Sequence, residues 1–132
     1  MSRQNVEVVR AVYEEWGKGN FQAGGGPWDR RVLFIPVPDL PNVGEYLGPE
    51  GVTELMRGFL EPWTNFTAAE ELIDAGDSVV VAARQRGVGR GSRLVAEVPR
   101  QFQVWTFRGH AVIRFEAFRD RAEALEAVGL SE

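Results

Sequence analysis

The sequence predicts an α+β domain: a cone-shaped, curved antiparallel sheet with N-terminal helices on its concave face and a short C-terminal helix. Three observations carry this expectation. Apolar residues recur at three- and four-residue spacing in two early segments, the mark of amphipathic helices. From Asn65 onward the pattern changes to long strand-like runs separated by turn residues. The 132 residues fit one domain, residues 1–132, since halves would be too small to bury a core.

The first helix is expected from about Arg3 to Lys18, with Ser2 as its N-cap. Val6, Val9, Tyr13 and Trp16 make its apolar stripe, and Gly17 with Gly19 end it. The run Phe21–Pro27 holds the triple glycine Gly24–Gly26 and is expected to be irregular. Arg31–Val37 reads as a short strand, followed by a stiff loop through Pro36, Pro38, Pro41 and Gly44. Gly48-Pro49 opens a second helix, proline being favoured at the first helical position. Val52, Leu55, Met56, Phe59, Leu60 and Trp63 form its buried face, and Pro62 marks its end.

Four strands are then expected over Phe66–Ile73, Ser78–Gly87, Leu94–Phe107 and Ala111–Phe118. Asp74–Asp77, Gly89–Ser92 and Arg108–His110 are the turns that join them. Arg114 and Glu116 alternate with Ile113, Phe115 and Ala117, so one face of the last strand is wet and the other buried. Asp120 with Glu123 resembles a capping box and starts the final helix, whose Leu125 and Val128 face inward. Long strands with helices on one face enclose a hollow that is a natural ligand site.

Composition removes several classes of function. A chain that is 44% hydrophobic and 26% charged is ordinary for a globular protein. The absence of cysteine excludes disulfides, thiolate metal sites and a cysteine nucleophile, and fits a cytoplasmic location. The polar N-terminus shows neither a signal peptide nor a membrane span. A net charge of −4 argues against nucleic acid as a partner. Lys18 is the one lysine among fifteen basic residues, a bias that points to a GC-rich bacterial source. Arg84, Arg86, Arg90, Arg93 and Arg100 crowd one stretch; they read as guards of strand edges and hairpin tips, or as an anion-binding patch.

Few residues offer acid–base chemistry. His110, the single histidine, falls in a hairpin tip, and without clustered carboxylates no metal site is expected. Asp39, Glu45 and Tyr46 lie near the expected pocket mouth. Asp39 reads as a turn cap or a base, Glu45 as an alternative base, and Tyr46 as a packing residue or a hydrogen-bond donor. Glu70, Glu71 and Arg84 are expected to face solvent or guard edges. Trp16, Phe59, Trp63, Trp105 and Phe115 read as core that also walls a pocket, with Gln101 and Gln103 as amide anchors inside it. Amides orient a ligand but do not exchange protons as a base does at neutral pH.

NVEVVRAVYEEWGKGNF, YLGPEGVTELMRGF, IDAGDSVVV, VWTFRGHAVIRFEAF and DRAEALEAVGL, in this order and spacing, resemble the nuclear transport factor 2-like superfamily, above all its SnoaL-like and ketosteroid-isomerase-like branch. The resemblance implies a cone-shaped fold, a homodimer through the outer sheet face, where Phe102, Val104 and Thr106 would lie, and a deep pocket for a small, largely apolar molecule. No cofactor is implied.

Ketosteroid isomerases use an aspartate base with a tyrosine and a protonated aspartate as oxyanion donors. Matched to this chain, the tyrosine falls at Val12, the base at Ile35 before Pro36, and the oxyanion aspartate at Gln103. The histidine and aspartate of polyketide cyclases fall at Gln103 and Ala117. The Asp-Arg-Asp set of epoxide hydrolases finds no counterpart among Gln101, Gln103 and Ala117. The resemblance therefore implies an isomerase, cyclase or hydrolase fold whose usual catalytic positions hold apolar or amide residues. Three functions follow: a small-molecule-binding protein with Trp16, Gln101, Gln103 and Trp105 orienting the ligand, a non-catalytic dimerisation or partner-binding module, or an enzyme with its base on Asp39 or Glu45.

Overall fold

A computed structural model describes residues 2–19, 27–36, 45–61 and 63–130 of the chain. The expectations for Gly24–Gly26, for Asp39 and for most of the proline-rich loop lie outside the described residues. The elements run α1 (Ser2–Gly17), β1 (Trp28–Ile35), β2 (Tyr46–Leu47), α2 (Gly48–Leu60), β3 (Trp63–Asp74), β4 (Ser78–Gly89), β5 (Val95–Arg108), β6 (Ala111–Phe118) and α3 (Arg121–Ala127). This is the α+β order read from the sequence, with boundaries moved by a few residues.

One six-stranded sheet has the order β2-β1-β6-β5-β4-β3. Its pairings are antiparallel except one, which departs from the wholly antiparallel expectation: β1 runs parallel to β6, with Phe34 opposite Phe115. The physical reason is topological. β1 has the next strand, β2, on one side and the last strand on the other, and β2, α2 and three further strands intervene before β6. Tyr46 and Leu47, expected in a loop, pair with Phe34 and Leu33 as the short edge strand β2. Gly48 then turns the chain into α2 at φ +75; a Cβ there would come within 3.1 Å of the Arg30 carbonyl oxygen, so only glycine suits the junction. Pro49 follows in the first turn, as expected.

Register shifts interrupt β3–β4 between Ala69 and Glu71 and β4–β5 between Ala83 and Gln85. Such irregularities bend the strands that carry them. Helices α1 and α2 pack on one face: α1 lies against β3 and β4, and α2 against β1. Val9, Tyr13, Trp16, Val52 and Leu55 meet Val32, Phe34, Val79, Val81, Ala83, Trp105, Phe107, Val112, Phe115 and Ala117 there to form the main core. Helix α3 covers the opposite face, where Ala124 meets Val80, Ala82, Phe102 and Val104 in a second core. Asp120 caps α3, its carboxylate accepting the Ala122 N–H at 2.9 Å. No helix among the described residues is long and apolar enough to cross a membrane.

Candidate functional site

The inner face of the sheet carries a row of buried, uncharged polar side chains. Asn65 and Thr67 on β3 and Gln101 and Gln103 on β5 are each under one-tenth exposed. Period-two alternation puts Gln101, Gln103, Trp105 and Phe107 on one side of β5, and Phe102, Val104 and Thr106 on the other.

Tyr13 reaches this row from α1. The indole N–H of Trp105 donates to the Tyr13 hydroxyl oxygen at 3.0 Å. The Tyr13 hydroxyl in turn donates to Gln103 Oε1. Gln103 Nε2 then donates to Gln101 Oε1 at 3.2 Å. These hydrogen bonds all run in one direction. Trp105 can only donate, so the tyrosine oxygen must accept and its proton must point on to the glutamine. The chain ends in the Gln101 amide NH2, a donor. Burial pushes the Tyr13 hydroxyl's pKa above its ordinary range, an effect that the Trp105 hydrogen bond only partly offsets. Tyr13 is therefore neutral at any physiological pH.

The rings of Trp16, Trp28, Phe34 and Phe115 pack with those of Tyr13 and Trp105 in one aromatic cluster. Trp28 stacks on Trp105 with centroids 5.3 Å apart, and Phe34 stacks on Phe115 at 4.2 Å. Trp105 meets Phe115 edge-on at 5.0 Å, and Tyr13 meets Trp16 edge-on at 5.1 Å. Such pairs prefer these offset or edge-to-face geometries. The rings fill the inner face around Trp105. Toward the β3–β4 end the side chains become small, with Ala69 beside Ala83 and Asn65 beside Gly87. The Trp63 ring lies over Gly87, 3.2 Å from where a Cβ would stand. Gln85 donates to Asn65 Oδ1 at 3.3 Å and continues the amide row into this region. Among the described residues two buried side-chain polar atoms have no hydrogen-bond partner: Trp28 Nε1 and Asn5 Oδ1.

No Asp, Glu, Lys, Arg or His among the described residues is buried. No group of three or more acidic or histidine side chains could hold a metal ion among them. His110 is exposed in its turn. Arg84 and Arg100 both pair with Glu70, at 3.3 and 2.9 Å. Arg121 pairs with Glu71 at 2.7 Å and holds that carboxyl below its ordinary pKa. These charged groups are strand-edge and surface features.

The structure brings Trp16, Gln101, Gln103, Trp105, Phe115 and Ala117 together, all buried. Val12 and Tyr46 are half-buried and pack on the main core, whereas half-buried Trp63 lies over Gly87 and Ile35, next to inward-facing Phe34, alternates to the opposite face of β1. Trp63 belongs to β3 rather than to the face of α2. The Phe59 side chain lies outside what is described. Glu45 is exposed beside β2, apart from the buried amides. Phe102 and Val104, read as a dimer face, are already buried within one chain beneath α3. Val12 packs half-buried on the main core, and the α1 residue that bonds Gln103 is Tyr13, a site residue not expected from the sequence. Its place on the Val6–Val9–Tyr13–Trp16 stripe was the signal. Trp28 was missed because Arg30 and Arg31 obscure the alternation that leads to Val32 and Phe34.

No protein-family model matches the chain, and no curated protein does. Solved structures do. An NTF2-like protein of unknown function from Burkholderia pseudomallei superposes with a TM-score of 0.71 at 20% identity, over 95% of this chain and 97% of that one. The fold is the nuclear transport factor 2-like fold. A SnoaL-like polyketide cyclase structure from Jannaschia gives a TM-score of 0.70 at 20% identity, covering 98% of this chain and 94% of its own. TerC, co-crystallised with polyporic acid, gives 0.71 at 21% identity over 94% and 97%.

Proposed function

We propose that this NTF2-like chain binds a small, largely apolar molecule through donors of the Gln101 and Gln103 amides, without acid–base turnover. The carrying observation is the one-way hydrogen-bond chain from Trp105 through Tyr13 and Gln103 to Gln101. Burying so many polar groups is expensive when apolar side chains would fill the same space. Their fixed direction gives them a use. Tyr13 spends its only proton on Gln103, so it orients the amides rather than reacting. The Gln101 NH2 favours a ligand with an acceptor oxygen, such as a ketone or ester, set among apolar walls. Ala83 pairs with Gln101 across β4–β5 and Ala69 pairs with Ala83, so small side chains flank this donor. The polyporic acid held by TerC is a precedent for a small-molecule ligand in this fold.

A second reading, a non-catalytic dimerisation or partner-binding module, is favoured by one specific observation. Trp16, Gln101, Gln103, Trp105 and Phe115 are buried by the chain itself. Since α3 covers Phe102 and Val104, a homodimer through the outer face would use what remains beside that helix. A groove of about 180 Å³ lies there, lined by Val104, Thr106, Arg114, Glu116, Phe118 and Ala127.

A thermal-shift screen with matched ketones and hydrocarbons separates the two readings. A ligand at a hundredfold excess over its dissociation constant adds about 2.7 kcal/mol of stability. A shift with ketones that exceeds the shift with their hydrocarbons, and that Gln101→Leu removes, supports the pocket. No shift across steroids, aromatic polyketides and terpenes turns the assignment to the interaction module.

A further inference from the structure

Two buried polar groups on the inner face stand outside the amide chain. The Trp28 indole N–H and the Asn5 side-chain oxygen are both closed off from water, and neither has a hydrogen-bond partner. Folded proteins leave few such groups, because an unpaired buried donor or acceptor keeps its full desolvation cost. Asn5 is 4% exposed and lies on the same stripe of α1 as Val9 and Tyr13. Trp28 stacks on Trp105 and meets Phe34 and Phe115 edge-on, three rings that supply no acceptor oxygen. Trp105, an indole in the same cluster, donates to Tyr13, so burial alone does not strand an indole here.

The two orphans share one end of the sheet. Gly17 and Gly19, at and just after the end of α1, lie beside the Thr67 and Asn65 carbonyls near the start of β3. Asn5 stands about 12 Å back along the helix from Tyr13, toward the other end of that strand. At that end the Phe107 N–H donates to the Asp77 carbonyl, Phe107 pairs with Val112, and Val112 pairs with Trp28. Gln101 lies the other way. The Trp28 ring, centred 5.3 Å from that of Trp105, is about 13 Å along β5 from Gln101, a span of about two or three rings.

We infer that the ligand carries a hydroxyl group at this end of the inner face, accepting from the Trp28 N–H and donating to Asn5 Oδ1. The inference rests on the reading that Gln101 binds an acceptor oxygen, and it narrows the ligand class to a hydroxylated ketone or ester. A hydroxyl accepts and donates at once, as a lone donor beside a lone acceptor requires. A second ketone or an ether would satisfy Trp28 and leave Asn5 unpaired.

The probe is para-hydroxyphenylcyclohexanone, with phenylcyclohexanone as its deoxy match, each titrated into the 15N-labelled chain and followed by NMR. The indole N–H signals of the 4 tryptophans are assigned from single phenylalanine variants. The hydroxy ketone shifts the Trp28 signal and binds about tenfold more tightly than its deoxy match, the worth of one or two neutral hydrogen bonds. In Trp28→Phe and in Asn5→Leu that preference falls to about threefold or less, while phenylcyclohexanone binds as it does to the native chain. Both variants keep the fold: the first retains the ring packing, and the second puts an apolar group of similar shape in place of an unpaired amide. Equal affinity for the two ketones, with Gln101→Leu abolishing both, overturns the hydroxyl subsite and leaves the Gln101 reading standing. So does a preference that survives Asn5→Leu, or a Trp28 signal that stays put. Binding of neither ketone overturns the Gln101 reading and the hydroxyl subsite together.

Discussion

Replacing Tyr13 with phenylalanine removes one oxygen atom and leaves the ring packing intact. Two buried groups lose their partner together: the Trp105 indole N–H and Gln103 Oε1. Trp105 is 0% exposed and Gln103 7%, so water does not replace the hydroxyl without rearrangement. An orphaned buried donor or acceptor costs about 1–3 kcal/mol, which puts the expected loss at about 2–6 kcal/mol for the pair. For a chain of this length each kcal/mol lowers the melting temperature by about 3–4 °C, so a fall of about 6–24 °C is expected. Urea unfolding of the single variant, of Gln103→Leu and of the double variant completes the test. Because the double variant no longer contains an unpaired Gln103 acceptor or Tyr13 donor, its loss falls short of the summed single losses by about 1–2 kcal/mol. A Tyr13→Phe loss under about 0.5 kcal/mol, or strict additivity in the cycle, would refute the hydrogen-bond chain.

Three further outcomes follow from the geometry. Trp28→Phe removes a buried N–H that already lacks a partner, and is expected to cost less than Trp105→Phe, which breaks the bond to Tyr13 in the fully buried core; denaturant midpoints in the reverse order would contradict this. Burial raises the Tyr13 pKa in the folded state above its unfolded value of about 10, so the protection is complete below that pH and stability declines as pH rises past it. Unfolding measured between about pH 9 and pH 11 should show this decline in the native chain and a weaker one in Tyr13→Phe. Asp120→Ala deletes the cap of α3 and should lower stability by about 1 kcal/mol, read from the urea midpoint, with Asp120→Asn retaining most of it.

Much of the fold was legible because its signals are local. The Val9–Tyr13–Trp16 spacing, the Gly48-Pro49 start, the Asp120 cap and the turns at Gly76 and Gly109 each announce an element within a few residues. The parallel pairing of β1 with β6 was not legible, since nothing in eight residues of β1 names a partner some eighty positions away. For the site, the burial of Gln101, Gln103 and Trp105 followed from strict alternation along β5. The partnership of Tyr13 with Gln103 spans 90 positions and depends on how α1 rotates over the sheet, which periodicity leaves open by one residue. The side of the sheet taken by α3 was equally hidden, because Leu125 and Val128 face inward whichever side the helix chooses.

That choice of side governs how the chain comes apart. Ser78 to Ala83 are six consecutive buried residues, alternately facing the α1–α2 core and the α3 core. Neither core can open without exposing the strand that the other also uses, so local fraying at one end is transmitted to the opposite layer. The seven residues of α3 thus act as a clasp on the sheet rather than as an ornament at the chain's end. Removing the clasp would bare Val80, Ala82, Phe102 and Val104 as one contiguous apolar strip on the sheet.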